Sequence, residues 1–305
     1  MCENNIKFSV LGGDLRQLAI ARKLSSLGFE TAVWGLGVGT DEIGDAVRCD
    51  AWEDAVKKSK VWVLPLPASA DGVYVNCPMC RAEESQRLRM SVLLDAADGQ
   101  TMIMGGRFTP LFKSRADEKN IKLIDYFNSE ELQIKNAIPT AEGAIAIAMN
   151  ELPITLHGSR VAVVGYGRVG KTLSDMLVSL GAHVTVAARK STDLAWADAR
   201  KCSRLQIQVK NGQSSLTELG KDYDVVFNTV PCWIFDADVL KHFDTNTLFI
   251  DLASAPGGVD TKTASALGLK VIWALSLPGK CSPFTAGNII CDSILETLRR
   301  LEVIQ

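Results

Sequence analysis

Histidine is scarce in this chain: His157, His183 and His242 are the only three in 305 residues. That scarcity weighs against a metal centre. Cys77-Pro-Met-Cys80 has the spacing of half a zinc site, but a closed site needs a second pair or histidines nearby, and the sequence supplies neither. No metal is expected, and the pair reads as two loop thiols. The eight cysteines, scattered from Cys2 to Cys291, form no spaced disulfide framework. They suit a reducing compartment, where cysteine acts mostly as a small buried hydrophobe. A charge excess is missing too. Thirty-three Lys and Arg against 35 Asp and Glu leave a formal net charge of −2, with no basic block, which argues against nucleic acid or an anionic membrane as partner. No apolar run approaches the ~18 residues of a membrane span, and the opening residues lack a basic stretch followed by an apolar one. A cytoplasmic protein is the expectation.

What the chain does hold is apolar material for two cores, 47% of 305 residues. The most informative stretch runs from Gly158 to Lys190. A buried strand, Val161 to Val164, leads into Gly165, Gly167 and Gly170, the spacing that a dinucleotide pyrophosphate needs. One glycine serves the turn, one the close approach of backbone to phosphate, one the packing of helix on strand. Arg168 and Val169 lie in the first helical turn, whose free N–H groups and positive dipole end face the phosphates. The helix carries Leu173, Met176, Leu177 and Leu180 on one side, stops at Gly181, and a second strand follows from Val184 to Ala187. At that strand's end an NAD site usually places a carboxylate, about 20 residues after the first glycine, for the ribose 2′-hydroxyl. Here the residues are Ala188-Arg189-Lys190-Ser191-Thr192. Two cations and two hydroxyls stabilise a 2′-phosphate, so NADP is expected over NAD, the alternative being a solvated strand end.

The first thirty residues echo this unit. Val10-Leu11-Gly12-Gly13-Asp14 through Leu27-Gly28 and Val33 align without a gap on Val163 through Leu180-Gly181 and Val186, which predicts two βαβ halves on one plan. In the first copy Asp14 and Gln17 replace the second and third glycines. A carboxylate repels a pyrophosphate and glutamine is bulky, so this copy is expected to keep the fold and change the ligand. Further strands are predicted in the apolar runs Val61 to Ser69, Thr101 to Arg107 and Leu123 to Tyr126, each ending in Pro, Gly or polar residues, with helical patterns between them such as Arg87 to Ala97. Asp14, Arg16, Ser69 and Arg107 then fall at carboxyl ends of strands, where ligands of such sheets gather.

Pro139 marks an expected helix start, with an alanine-rich body buried between two domains and Asn136, Thr140 and Glu142 projecting from its first turn into a cleft. Glu142 reads equally as a first-turn carboxylate that serves the helix dipole. Asp224 to Pro231 and Thr247 to Ser254 are read as the fourth and fifth strands of the nucleotide domain. Their ends, with Thr229, Val230, Pro231, Asp251 and Ala253, border the cofactor in such domains. Cys232 has no activating base nearby and reads as inert. Ser282 as N-cap and Pro283 at the first position start a last helix, which is expected to cross back to the first domain and leave Lys280 at the cleft, either solvated or binding a carboxylate.

Several of these motifs together resemble the family of dipicolinate synthase A-subunits. They are Gly12-Gly13-Asp14-Leu15-Arg16-Gln17, Ile138-Pro-Thr-Ala-Glu-Gly143, His157-Gly-Ser159, Gly165-x-Gly-Arg-x-Gly170, Asn228-Thr-Val-Pro231, Asp251-Leu-Ala-Ser254 and Leu277-Pro-Gly279 with Thr285-Ala-Gly287. Cys77 and Cys80 are outside that pattern. The resemblance implies an α/β protein with two Rossmann-like doubly wound parallel-sheet domains, a buried linking helix and a C-terminal helix that returns to the first domain. The expected boundaries are 1–138 with 285–305 for the substrate domain and 139–284 for the NADP domain. It further implies an enzyme of the sporulating mother cell that works with the dipicolinate synthase B-subunit, oxidising dihydrodipicolinate to pyridine-2,6-dicarboxylate with NADP. A homo-oligomer is expected. For the dicarboxylate, Arg16, Arg107 and Lys280 are the candidate cations and Ser69, Asn136 and Thr140 the orienting groups. Glu142 is the first candidate base and Asp14 the second. Two other readings stay open: a 2-hydroxy-acid dehydrogenase, which should carry a histidine paired with a carboxylate, and a non-catalytic NADP-binding protein.

Overall fold

The central strands of both sheets are short, mostly apolar runs without polar alternation, because each face of a parallel sheet is covered by helices. Phe8, Val10 and Leu11 in one sheet, and Val161, Val163, Val225 and Phe227 in the other, have no exposed surface. The computed structural model describes residues 7–37, 39–57, 59–80, 87–210 and 212–304, so Cys2 lies outside the described residues. The chain divides into two units, Met1–Asn136 with Ser282–Gln305, and Ala137–Cys281.

The first unit contains β1 (Lys7–Leu11), α1 (Leu15–Ser26), β2 (Glu30–Trp34), β3 (Val47–Arg48), α2 (Trp52–Val56), β4 (Val61–Val63), α3 (Met90–Ala96), β5 (Met102–Gly105), α4 (Pro110–Glu118) and β6 (Lys122–Asp125). Its sheet has the order β3-β2-β1-β4-β5-β6, parallel throughout. After α5 (Glu130–Glu151), in which the division between the units falls, the second unit repeats the plan. It comprises β7 (Arg160–Val164), α6 (Arg168–Ser179), β8 (His183–Ala188), α7 (Ser191–Ala199), β9 (Ser203–Gln206), a small antiparallel ribbon of β10 (Val209–Lys210) and β11 (Gln213–Ser214), β12 (Val225–Asn228), α8 (Ala237–Leu240), β13 (Leu248–Asp251), α9 (Thr261–Ala266), β14 (Lys270–Trp273) and α10 (Leu277–Cys281). The order β14-β13-β12-β7-β8-β9 is again parallel, so both sheets are doubly wound.

The internal echo is real at the level of single bonds. Gly12 N–H donates to Trp34 O at 2.8 Å as Gly165 N–H does to Ala187 O, also at 2.8 Å. Gly28 and Gly181 close their helices with matching 2.9 Å bonds, and Val10 pairs Val33 as Val163 pairs Val186.

The last helix, α11 (Pro283–Arg300), starts at the Ser282 N-cap and belongs to the first unit. Ile290, Ile294 and Leu298 bury one stripe in the core beside Leu18 and Leu24. Gly287 allows the close approach to α1, since a Cβ there would strike the Arg16 carbonyl and stand 2.7 Å from the Ala19 Cβ.

Two helix expectations need correction. α5 begins at Glu130, not Pro139, so Asn136, Thr140 and Glu142 lie in the helix interior. Ser129 Oγ accepts the Leu132 N–H at 3.3 Å, and Glu130 and Glu131 favour the dipole. Together with the burial of Leu132 and Ala137 these terms offset the interior proline, which costs about 3 kcal/mol. Nor is α5 buried all round: Ala141, Ala144 and Ala148 are inside, while Ile134, Ile138, Glu142 and Met149 are exposed. The helix predicted from Arg87 is shorter, Met90–Ala96. Of the described cysteines only Cys49, Cys202 and Cys291 are buried; Cys77 and Cys80 are half-buried, and Cys232 and Cys281 are exposed.

Gly287→Ala tests the α1–α11 contact by its sign. Helix propensity alone makes alanine stabilising by up to about 1 kcal/mol, whereas the clash should destabilise the chain by about 1–3 kcal/mol in urea unfolding.

Candidate active site

A groove of about 620 Å³ opens at the carboxyl ends of β7, β8 and β12. Gly165, Gly167, Arg168, Val169, Ala188, Arg189, Lys190, Thr229, Val230 and Pro231 all line it, together with Tyr166, Asp193, Ile207, Cys232 and Ile234. Each glycine has a separate physical task. Gly165 takes φ +96°, which side chains avoid. Gly167 is the N-cap of α6, and a Cβ there would meet nothing within 4 Å, so ligand can approach the backbone. Gly170 lies so close to the Gly165 carbonyl that any Cβ would collide with it, which presses α6 onto β7. The first N–H groups of α6 lack intrahelical acceptors and face this turn. The residues therefore fit a dinucleotide pyrophosphate.

Ala188 ends β8, and Arg189 and Lys190 beyond it are exposed. Asp193, in the first turn of α7, also lines the groove, and sequence reasoning missed it. Its signal was its place at the third helical position after Lys190, where acids favour the dipole. Ser191 and Gly170 do not line the groove. Asp251 and Ala253 turn inward. Asp251 is 2% exposed, and its carboxylate accepts from Asn228 Nδ2 at 2.8 Å, Ala253 N–H at 3.1 Å and Gly258 N–H at 2.7 Å. Asn228 in turn holds Val230, its Oδ1 accepting the Val230 N–H at 3.1 Å. These buried residues fix the loops that border the groove.

In the first unit, strand-end loops gather another set. Asp14 caps α1 by accepting the Arg16 N–H at 2.9 Å and also takes the Arg16 guanidinium bidentately, Nε to Oδ1 at 2.9 Å and Nη2 to Oδ2 at 2.8 Å. Arg16 Nη2 reaches the Leu66 carbonyl at 2.7 Å in the loop after β4. That loop is tied to the next, Ala68 N–H donating to Gly106 O at 2.7 Å and Gly106 N–H to Pro65 O at 3.0 Å. Arg107 follows with φ 57°, its N–H on Asp125 Oδ1 at 3.1 Å and its guanidinium 4.9 Å from the Phe127 ring centre. Ser69 Oγ accepts from Gly72 N–H at 2.9 Å and donates to Asp71 at 3.1 Å. Tyr126, whose phenol burial pushes far above the ordinary range, remains a donor to Leu64 O at 2.9 Å.

The first copy of the fingerprint is closed to a dinucleotide. Gln17, 1% exposed, fills the space over Gly13, and its Nε2 lies 3.3 Å from Val63 O. The Gly13 N–H is taken by Asn76 O at 2.8 Å. Asn136 belongs to the first unit; Thr140, Glu142 and Lys280 belong to the second, Glu142 and Lys280 exposed. α10 packs on α5 where Gly143 faces Leu277 and Cys281.

Residues 7–127 match the family model of the N-terminal domain of the dipicolinate synthase A-subunit. Residues 135–274 match that of the D-isomer specific 2-hydroxyacid dehydrogenase NAD binding domain. Over 297 residues, 97% of each chain, the sequence is 33% identical to the dipicolinate synthase A-subunit of Bacillus subtilis (strain 168). The chain belongs to the family of dipicolinate synthase A-subunits. The crystal structure of the dipicolinate synthase A-subunit from Bacillus halodurans superposes with a TM-score of 0.85 at 29% identity, covering 96% of this chain and 98% of that one. The crystal structure of its Bacillus subtilis counterpart gives 0.83 at 32%, covering 98% and 97%. An L-alanine dehydrogenase, 14% identical at a TM-score of 0.69, shares the fold. The second unit is thus a nicotinamide-dinucleotide-binding domain of dehydrogenase type. No helix among the described residues is long and apolar enough to cross a membrane.

Asp251→Ala removes the acceptor of three internal N–H groups. At roughly 1–3 kcal/mol for a buried donor left unpaired, urea unfolding should show a loss of at least about 2 kcal/mol.

Proposed function

We propose that this protein oxidises dihydrodipicolinate to pyridine-2,6-dicarboxylate with NADP, together with a dipicolinate synthase B-subunit, in the cytoplasm of a sporulating cell. The observation that carries the cofactor choice is the lining of the groove by Arg189 and Lys190 after Ala188, with no carboxylate at the end of β8. A 2′-phosphate there meets two cations, and Arg189 can take it bidentately. Asp193 shares the groove and opposes a second negative charge, so it limits the preference. When bound, the nicotinamide supplies a hydride acceptor. The α6 turn from Gly165 to Gly170 would hold the pyrophosphate, and Thr229, Val230 and Pro231 would border the rest of the cofactor.

On the substrate side the reading assigns Arg16, Arg107 and Lys280 to the two carboxylates, and Ser69, Asn136 and Thr140 to orientation. Arg16 arrives pre-aligned, because Asp14 and Leu66 O fix its Nε and Nη2. Asp14 is so engaged with Arg16 that it serves as the clamp for that cation, which leaves Glu142 as the proton acceptor. The Glu142 carboxylate would take the proton, the bound cofactor would supply the hydride-accepting chemistry, and the stability of the aromatic ring would provide much of the driving force. The first unit is the substrate domain, and the protein is a homo-oligomer in this reading. A histidine-dependent 2-hydroxyacid oxidation gains no support, since no histidine lines the groove among the described residues.

Reduced cofactor should accumulate, by its absorbance, when the chain and the B-subunit are mixed with dihydrodipicolinate and NADP; a flat trace would sink the assignment. In calorimetry, Arg189→Ala should weaken NADP about tenfold or more and leave NAD nearly unchanged, while Asp193→Asn should tighten NADP. Glu142→Gln should lower turnover roughly 100-fold or more with NADP affinity intact.

A further inference from the structure

The segment from Val75 to Cys80 occupies, in the first unit, the position that the nucleotide groove occupies in the second. Gly35, just after β2, matches Ala188, the last residue of β8, and Gly12 matches Gly165 in the repeat. In the second unit those positions border open groove. In the first unit they are covered. Asn76 O accepts the Gly13 N–H at 2.8 Å, and Cys77 Sγ donates to Gly35 O at 3.0 Å. Cys77 Sγ also lies 3.3 Å from where a Cβ on Gly12 would stand, and a Cβ on Gly37 would collide with the Met79 carbonyl. The chain has thus inserted its own Cys-x-x-Cys turn as a plug, directly behind the residues that carry Asp14 and Arg16.

We propose that Cys77 and Cys80 form a thiol–disulfide exchange site, which closes to an intramolecular disulfide by reaction with a low-molecular-weight disulfide and thereby resets the turn between β1 and α1.

Geometry supports closure. Cys80 N–H donates to Cys77 O at 3.1 Å, the bond of a four-residue turn. Such turns keep their end Cα atoms within about 7 Å, which overlaps the roughly 4.4–6.8 Å that a disulfide spans. Both thiols border the same cavity, and the nearby Cys80 thiol adds to the effect of burial in raising that of Cys77. Access differs between them. Cys80 lines two cavities of about 280 and 650 Å³, whereas Cys77 lines only the smaller, whose other titratable groups are Asp71, Tyr74 and Arg87. Burial pushes the Cys77 thiol up to about 12, so Cys80 is the entering nucleophile.

The electrons balance in two steps. The Cys80 thiolate attacks one sulfur of the small disulfide, whose S–S bond breaks and releases one thiol. Cys77, losing its proton to solvent, then attacks the Cys80 sulfur of the mixed disulfide and expels the second thiol. Two protein thiols are oxidised and one small disulfide is reduced. Closure removes the S–H donor from Gly35 O and draws the sulfur off Gly12, so the Asn76–Gly13 bond loses its backing.

The test treats the reduced full chain with oxidised glutathione and reads the peptide that carries both cysteines by mass spectrometry. Wild type should lose about two mass units there, Cys77→Ser should stop as a glutathione adduct on Cys80, and Cys80→Ser should leave Cys77 unmodified. Exposed Cys232 and Cys281 serve as internal controls that take adducts only. Hydrogen exchange of the Gly13 amide should quicken about tenfold in the closed form of wild type and stay constant in Cys80→Ser. A persistent adduct on wild-type Cys80, or closure with unchanged exchange from Gly12 to Arg16, would overturn the proposal.

Discussion

The contact between Gly170 and the Gly165 carbonyl sets the geometry on which the second unit depends. Because no side chain intervenes, the first turn of α6 sits directly above the end of β7 and its unpaired N–H groups converge on one place. The rest of the groove is arranged around that point. Asn228 and Asp251, both buried, hold the loops after β12 and β13 by internal hydrogen bonds, and so keep Thr229 to Pro231 at the groove wall. Their chemistry is spent on architecture.

The first unit shows what happens when that contact is lost from the same plan. Gln17 stands at the position of Gly170, fills the turn and leaves no room for a pyrophosphate. The turn's Gly13 N–H goes to Asn76 O, and the Arg16 N–H, counterpart of that of Val169 in the first turn of α6, goes to Asp14 Oδ1. Asp14, at the position of Gly167, becomes an N-cap and at the same time a bidentate partner of Arg16. These two replacements therefore close a nucleotide site and align a cation for another kind of ligand. An arginine fixed by a half-buried carboxylate and a backbone carbonyl gives up less rotamer entropy on binding than a free one.

Much of this was legible in the chain. Glycine spacing, the aliphatic runs and the gapless echo of Val10–Val33 on Val163–Val186 predict two doubly wound sheets, and the bonds at Gly12 and Gly165 match. These signals are local: a strand end, a turn and a helix start are adjacent in sequence. Pro139 misled because a proline marks a helix start only when packing elsewhere does not outweigh its cost, and Leu132 and Ala137 are buried by residues distant in sequence. Asp251 misled for a similar reason. A carboxylate at a strand end reads the same whether it faces ligand or the core.

By itself the sequence determined the two-sheet plan, the one intact fingerprint and the cations after β8, since each is written in neighbouring residues. Only the tertiary structure decided that Asp193 joins the groove, that Asp14 is engaged by Arg16, and that Cys77 seals the first copy. The first two turn on how a helix start aims its side chains, the third on which groups meet across loops far apart in the chain, and all on how burial there alters charge and hydrogen bonding.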